Sequence, residues 1–361
     1  MSTKGILIDQ EIARAAVVGG QFFGGGGGGS AAKGLEMAFK ALELGELRLI
    51  DLADLHDQEP VITASAVGAP AARDKMVTDQ DAIEAYEIYQ RITGEKPAGV
   101  ITNENGGMAT ANGWILAAVS GIPIVDAPCN GRAHPTAPMG SIGLSRQKDY
   151  RTWQVAVGGN PRLKKDLKIS VYGTVAATSR LVRKAAVEAG GLVTVLRNRV
   201  KAGYLRNHAA VGGISQAITV GRILLKNKGD SQKIITALRE YLPLQLIESG
   251  EIKDLVLETR DGFDIGKCYV EGEHRIEVTF WNEYMTCEKN GQRLATFPEL
   301  ITIFSAEQGE VRTSAELREG EPVLLIKVAK AGLKLGAGMY EQNLFKEVET
   351  VINKDLITYH F

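Results

Sequence analysis

The chain is poor in cysteine, with three among 361 residues: Cys129, Cys268 and Cys287. They form no C-x-x-C pair, and an odd number does not suggest a disulfide framework, so a reducing compartment fits best. Net charge is nearly absent too: 42 Lys and Arg against 43 Asp and Glu leave −1. No global field is available to hold nucleic acid or an anionic membrane. Short basic clusters such as Arg162 to Lys168 read as solvated faces. No stretch approaches the ~20 apolar residues that a membrane span requires. Asp9 and Glu11 precede any long apolar run, which argues against a signal peptide. There is no internal repeat. The expected setting is the cytoplasm, and the expected partner is a small molecule; a homo-oligomer is expected.

What is present is an alternation of helical and strand patterns. Gln10 to Val18 reads as a helix with Asp9 as its N-cap, and Ala31 to Leu44 as a second, stopped by Gly45. Strands follow at Leu47 to Leu52 and Val61 to Val67. Asp79 caps a helix to about Ile92, Gly99 to Thr102 is a compact buried strand, Met108 to Ser120 a helix, and Ile122 to Val125 a strand. This spacing predicts α/β construction around a largely parallel sheet. Further on, Ile169 to Tyr172 and Leu192 to Leu196 read as strands, with helices at Thr174 to Ala189, Ile214 to Leu225 and Ser231 to Tyr241. Beyond about residue 250 short alternating runs dominate, separated by turn signals at Asp261-Gly262, Glu271-Gly272 and Asn290-Gly291. They predict a β-rich module, a small barrel or sandwich, and the chain closes in a polar tail. The domain boundary falls near residue 165, giving an α/β domain over 1–165 and a mixed segment plus β-rich domain over 166–361.

Six consecutive glycines, Gly24 to Gly29, precede Ser30. The run contains G-x-G-x-x-G, with Asp51 some twenty residues on, but a dinucleotide fingerprint needs a strand before its glycines and this chain puts a helix there. A nucleotide-dependent oxidoreductase rests on this run alone. The P-loop reading fails because Gly29 is followed by Ser30-Ala31. The physical content survives: Gly26, Gly27 and Gly28 let backbone approach a ligand, and Ser30 opens a helix whose dipole favours an anion. The alternative is a flexible turn between two helices.

The segment Gly99 to Pro138 is the most informative. Its order is strand, Asn103-Glu104-Asn105-Gly106-Gly107, helix, strand, and then Asp126 to Pro135. If the two strands are parallel, both polar loops leave the carboxyl edge of the sheet, where open α/β sheets bind ligands. Glu104 and Asp126 would face one cleft, as a carboxylate pair able to deprotonate water. His134 could shuttle protons, Arg132 could grip a carboxylate, and Cys129 could be a nucleophile or, with His134, a ligand to a divalent metal. Each has a plainer alternative: Asp126 as a turn cap, Cys129 as a small buried residue, His134 as a satisfied loop histidine. The metal question stays open.

These residues together look familiar. Gly24 to Gly29 ahead of a helix, Glu104-x-Gly106-Gly107, and Asp126 with Gly131-Arg132-Ala133-x-Pro135 resemble the S-methyl-thiohydantoin desulfurase-like family. Phe280-Trp281-Asn282-Glu283, Leu294-Ala295-Thr296-x-Pro298-Glu299-Leu300-Ile301 and Gly213 to Arg222 extend the resemblance over nearly the whole chain. It implies an N-terminal three-layer α/β/α domain, a C-terminal β-barrel-like domain, and chemistry that releases sulfur from the carbon between two nitrogens of a thiohydantoin- or hydantoin-like ring. The glycine loop, Glu104, Gly106, Gly107, Asp126, Gly131 and Arg132 carry over; Pro128, Cys129, Asn130 and His134 depart from the family pattern. The implied reaction is hydrolytic: water oriented by Glu104 or Asp126 attacks the C–S carbon while the glycine loop, Asn103 and Asn105 hold ring carbonyls or an anionic side arm. The competing reading is a non-catalytic accessory or ligand-binding subunit of a hydantoinase- or oxoprolinase-type complex.

Overall fold

The computed structural model describes residues 5–361. Two eight-stranded sheets organise it. The first holds β1 (Ile6–Leu7), β2 (Arg48–Ile50), β3 (Pro60–Gly68), β4 (Gly99–Thr102), β5 (Ile124–Val125), β6 (Thr152–Gly158), β7 (Leu167–Gly173) and β8 (Leu192–Lys201), in the spatial order β1-β2-β5-β4-β3-β8-β6-β7. The centre, β2-β5-β4-β3, is parallel, as the α/β pattern predicts; β1 and the block β8-β6-β7 are antiparallel additions. The sheet is therefore mixed. Residue 165 lies in the turn between β6 and β7, and this sheet runs on to Lys201.

Helices cover both faces, which makes the three layers. On one side lie α1 (Gln10–Gly24), α2 (Ala31–Leu44), α3 (Asp79–Thr93) and α4 (Trp114–Ser120), packed on Ile62, Ala64, Val100 and Leu196. On the other lie α5 (Val175–Glu188) and the short α6 (Ala202–Leu205), packed on the alternate residues such as Val193, Val195, Val61 and Ile101. Asp9 caps α1 as expected, its carboxylate accepting from the Ile12 amide at 2.8 Å. The cap of α3 is Thr78, not Asp79, in a capping box with Asp81. The helix expected over Met108 to Ser120 is broken: a 3-10 turn, Ala109–Ala111, is followed by Gly113 at φ 88°, and α4 starts only at Trp114. The break lets the start of that segment fold back on the end of β4, where Thr102 Oγ1 donates to the Ala109 carbonyl.

Helices α7 (Gly213–Lys226) and α8 (Ser231–Tyr241) lead into the second sheet. α7 crosses α1 at backbone contact. A Cβ on Gly221 would lie 1.8 Å from the Ala15 carbonyl oxygen, and one on Gly19 1.8 Å from that of Ala217. Only glycine permits so close a crossing.

The second sheet is antiparallel throughout. It holds β9 (Leu244–Arg260), β10 (Phe263–Glu271), β11 (Arg275–Trp281), β12 (Glu283–Lys289), β13 (Gln292–Thr296), β14 (Leu300–Ser305), β15 (Val311–Arg312) and β16 (Pro322–Val328), ordered β13-β12-β11-β10-β9-β16-β14-β15. The predicted turns at Asp261-Gly262, Glu271-Gly272 and Asn290-Gly291 fall at its hairpins. The barrel-like expectation is corrected: among the described residues no ladder joins β13 to β15, so the sheet stays open. The expected polar tail is corrected as well. It forms α9 (Gln342–Ile352) and α10 (Ile357–His360), and buries Phe345, Val348 and Leu356 against Trp281, Met285 and Phe297. Among the described residues no helix is long and apolar enough to cross a membrane.

Gly221→Val should force the α1–α7 crossing apart. We expect a loss of about 2–3 kcal/mol in a denaturant titration; a variant as stable as the parent would show that this contact carries no stability.

Candidate active site

The two polar loops lie side by side, joined by backbone hydrogen bonds at the ends of β4 and β5. The Cys129 amide donates to the Thr102 carbonyl at 2.9 Å, that of Asn130 to Asn103 at 3.1 Å, and that of Asn105 to Asn130 at 3.2 Å. Asn105 completes the brace, its side-chain amide donating to the Gly131 and Gly213 carbonyls. The C-terminal segment finishes it: the Gly131 amide donates to the Lys334 carbonyl, and the Gly336 amide to Asn130 Oδ1.

The glycine loop is seated between the two domains. Gly28 and Gly106 meet backbone to backbone; a Cβ on Gly28 would lie 2.6 Å from the Gly106 Cα. A Cβ on Gly27 would lie 1.9 Å from Glu283 Oε1. The loop carbonyls are taken by protein donors: Gly25 by the Tyr284 amide, Gly26 by that of Ser314, and Gly28 by those of Met108 and Ala109.

A cavity of about 900 Å³ opens at the carboxyl end of β3 and β4, with walls from both domains. Gly28, Gly29, Ser30, Asn103, Glu104 and His134 line it from the predicted set and its surroundings. Glu104 Oε2 accepts the His134 backbone amide at 3.2 Å, and lies 3.2 Å from the same residue's Nε2. Burial dominates both groups. It lifts the Glu104 carboxyl from its ordinary 4.5 to about 8, against the opposing pull of the His134 amide and Arg197. It lowers His134 to about 3, helped by the charge of Arg197. Near neutral pH this is a protonated carboxyl beside a neutral imidazole, the arrangement low polarity favours over an ion pair.

Other predicted residues stand off the cavity wall. Asp126 has its oxygens on the Ile214 and Ser215 amides, at 2.7 and 3.3 Å, and so caps the first turn of α7. Cys129 is fully buried with its thiol 3.4 Å from Thr63 Oγ1, and burial pushes it up to about 11, far from thiolate. Arg132 donates to the Ala133, Pro298 and Glu299 carbonyls and stacks on Phe297, joining the two domains. Gly26, Gly27, Asn105 and Gly106 support the loops from behind. Among the described residues no group of three or more His, Cys, Asp or Glu is placed to hold a metal ion.

Sequence reasoning missed Arg183, Arg197, Asn112 and Glu283, all on the wall. Arg197 lies in β8 beside a β-bulge at which Asn198 takes φ 54°. Glu283 is buried, and burial holds its carboxyl well above the ordinary range. The available signal was Arg197-Asn198-Arg199 following an apolar strand, and Asn282-Glu283 inside an apolar β-rich stretch.

Residues 13–159 match the model of the S-Me-THD-like N-terminal domain, and residues 173–333 that of the S-Me-THD-like C-terminal domain. The chain belongs to the S-Me-THD-like family. No functionally curated protein matches it. The crystal structure of a protein from Chromobacterium violaceum, a structural-genomics target, shares the fold with a TM-score of 0.72, at 20% identity over 96% of this chain and 97% of that one. In this chain the two S-Me-THD-like domains share the walls of one cavity.

Two outcomes follow for this S-Me-THD-like chain. Asp126→Ala should cost about 1 kcal/mol, the ordinary loss of a helix cap, and a denaturant titration reads it. Glu104 has a folded pKa above its unfolded one, so its contribution to stability is full below about pH 4 and is lost as pH rises through about 8. The stability of Glu104→Gln relative to the parent should therefore increase by a few kcal/mol between pH 5 and pH 9. A difference independent of pH would mean that Glu104 titrates normally.

Proposed function

We propose that the chain is a hydrolase that removes sulfur from a thiohydantoin-like five-membered ring, with Glu104 as its proton-transfer group. The observation that carries this reading is a buried carboxyl on a cavity wall, protonated near neutral pH and set against the His134 imidazole. The substrate class comes from membership of the S-Me-THD-like family.

The chemistry needs a single group that gives up and takes back a proton in turn. An S-methylated ring carbon between two nitrogens becomes electrophilic when one nitrogen is protonated, and Glu104 in its acid form donates to that nitrogen. The resulting carboxylate takes a proton from water as the water oxygen bonds to the ring carbon. Glu104 then protonates sulfur, the C–S bond breaks with its electron pair going to sulfur, and methanethiol leaves. The hydroxyl proton left on the ring carbon returns to Glu104 as the carbonyl forms. One water enters and one thiol departs, with no change of oxidation state. The His134 backbone amide, donating to Glu104 Oε2 at 3.2 Å, orients the carboxyl, and its imidazole is too weak a base to compete for the proton. Asn103 and Asn112, hydrogen-bonded to each other at 3.1 Å, offer amide groups to the ring.

The test is thiol release from S-methyl-thiohydantoins by purified protein. Glu104→Gln should lower kcat/KM by about 10²- to 10⁴-fold. The working form is the acid, so the wild-type rate should fall as pH rises through about 8. Unchanged turnover in the variant would remove Glu104 from the mechanism.

A further inference from the structure

Glu283 is a second carboxyl on the cavity wall, and the proton transfers assigned to Glu104 leave it without a part. It is 1% exposed, and its Oε2 is buried without a hydrogen-bond partner. The charges of Arg132 and Arg183 act on it, but among the described residues no ion pair joins either one to it. Their hydrogen bonds go to backbone carbonyls instead, those of Arg132 to Ala133, Pro298 and Glu299, and those of Arg183 to Gly68 and Gly262. A buried carboxylate in that state is strongly disfavoured, so the group relaxes to its neutral acid. Burial raises it first, and the charge of Glu104 raises it further. When Glu104 gives up its proton, Glu283 therefore holds its own more firmly.

A purely structural role explains Glu283 poorly. As a tie between the domains it would meet a donor, and none reaches Oε2. The glycine loop is instead cut back to admit it: a Cβ on Gly27 would lie 1.9 Å from Glu283 Oε1. The turn that carries it is held on both sides. Asn282, also on the cavity wall, takes φ 57° where β11 reverses into β12. Its amide donates to the Asp264 carbonyl at 2.7 Å, and its Oδ1 accepts the Asp264 amide at 2.9 Å. A carboxylic acid so placed is a fixed hydrogen-bond donor whose acceptor has to come from the cavity.

We propose that Glu283 is a second catalytic residue of this cavity, its carboxylic O–H donating a hydrogen bond to the ring carbonyl oxygen while Glu104 moves the protons. The ring rests on the desulfurisation reading; the neutral donor on the wall does not. In an S-methyl-thiohydantoin that carbonyl shares a ring nitrogen with the carbon bearing sulfur. As water bonds to this carbon, electron density moves onto the nitrogen and on to the carbonyl oxygen. A donor already in place there stabilises it without reorganising. The proton stays on Glu283 throughout, so one water still enters and one thiol still departs. The two carboxyls divide the work because Glu104 ionises in turn while its charge keeps Glu283 neutral.

Infrared spectroscopy of the full chain tests the donor without turnover. At pH 7 the wild-type protein should show a carboxylic-acid carbonyl stretch that is missing in the near-isosteric Glu283→Gln, and excess hydantoin should shift that band. In thiol release, Glu283→Ala should lower kcat about 10²- to 10³-fold. Glu283→Gln, whose amide can still donate, should recover most of that loss. Absence of the acid band, or a band that excess hydantoin leaves in place, overturns the proposal. So does full turnover in Glu283→Ala, or a Glu283→Gln variant as slow as it. The two readings fail separately. A shifted band without thiol release from S-methyl-thiohydantoins keeps Glu283 as a ring donor and overturns desulfurisation. Thiol release with an unmoved band keeps desulfurisation and overturns the role of Glu283.

Discussion

The contact of Gly28 with Gly106 governs the rest of the molecule. Two backbones touch where any side chain would intrude, and the loop carbonyls accept hydrogen bonds from Met108 and Ala109 on one side and from Tyr284 and Ser314 on the other. The glycine run is thus a joint between the domains before it is a ligand loop. Its conformational freedom, costly in an unfolded chain, is used to satisfy backbone groups in a place too narrow for side chains. Because the joint closes there, Glu283 from the second domain and Glu104 from the first share one cavity.

That closure sets the electrostatics. Carboxyls, imidazole and guanidinium are all removed from water, so each shifts toward its neutral form, and the usual ion pairs do not form. Glu104 becomes an acid suited to neutral solution and His134 a neutral neighbour. Arg183 and Arg197, which cannot readily lose their protons, are left as fixed charges of the site.

Much of this was legible in the sequence where the cause was local. The strand Gly99–Thr102 and the helix Ser231–Tyr241 have the bounds their apolar patterns indicate, and Glu104 ahead of two glycines had little structural reason to be there. The two loops were correctly placed together because parallel strands joined by a helix bring their ends to one edge. What escaped depends on partners far away in the chain. Asp126 accepts from the first turn of a helix, at the Ile214 amide 88 residues later, so its spacing from Glu104 said nothing of its role. Arg197 reads as the charged end of a strand until the bulge and both domains bury it. The C-terminal helices looked polar because their few apolar residues are matched by a patch on the second sheet that only folding assembles.

The C-terminal segment that braces the Asp126 to His134 loop also orders events in time. Lys334 and Gly336 complete hydrogen bonds to residues more than half the chain earlier, and a Cβ on Gly336 would lie 1.9 Å from the Cys129 carbonyl oxygen. During synthesis the first sheet can form with its loop unbraced, but the loop cannot take its final course until the last strands and the segment after them have emerged. Contacts of such sequence separation form slowly, because the loop-closure entropy comes due before the contact exists. A nascent chain therefore carries all the residues of the Glu104–His134 pair well before it carries the segment that braces the loop holding one of them.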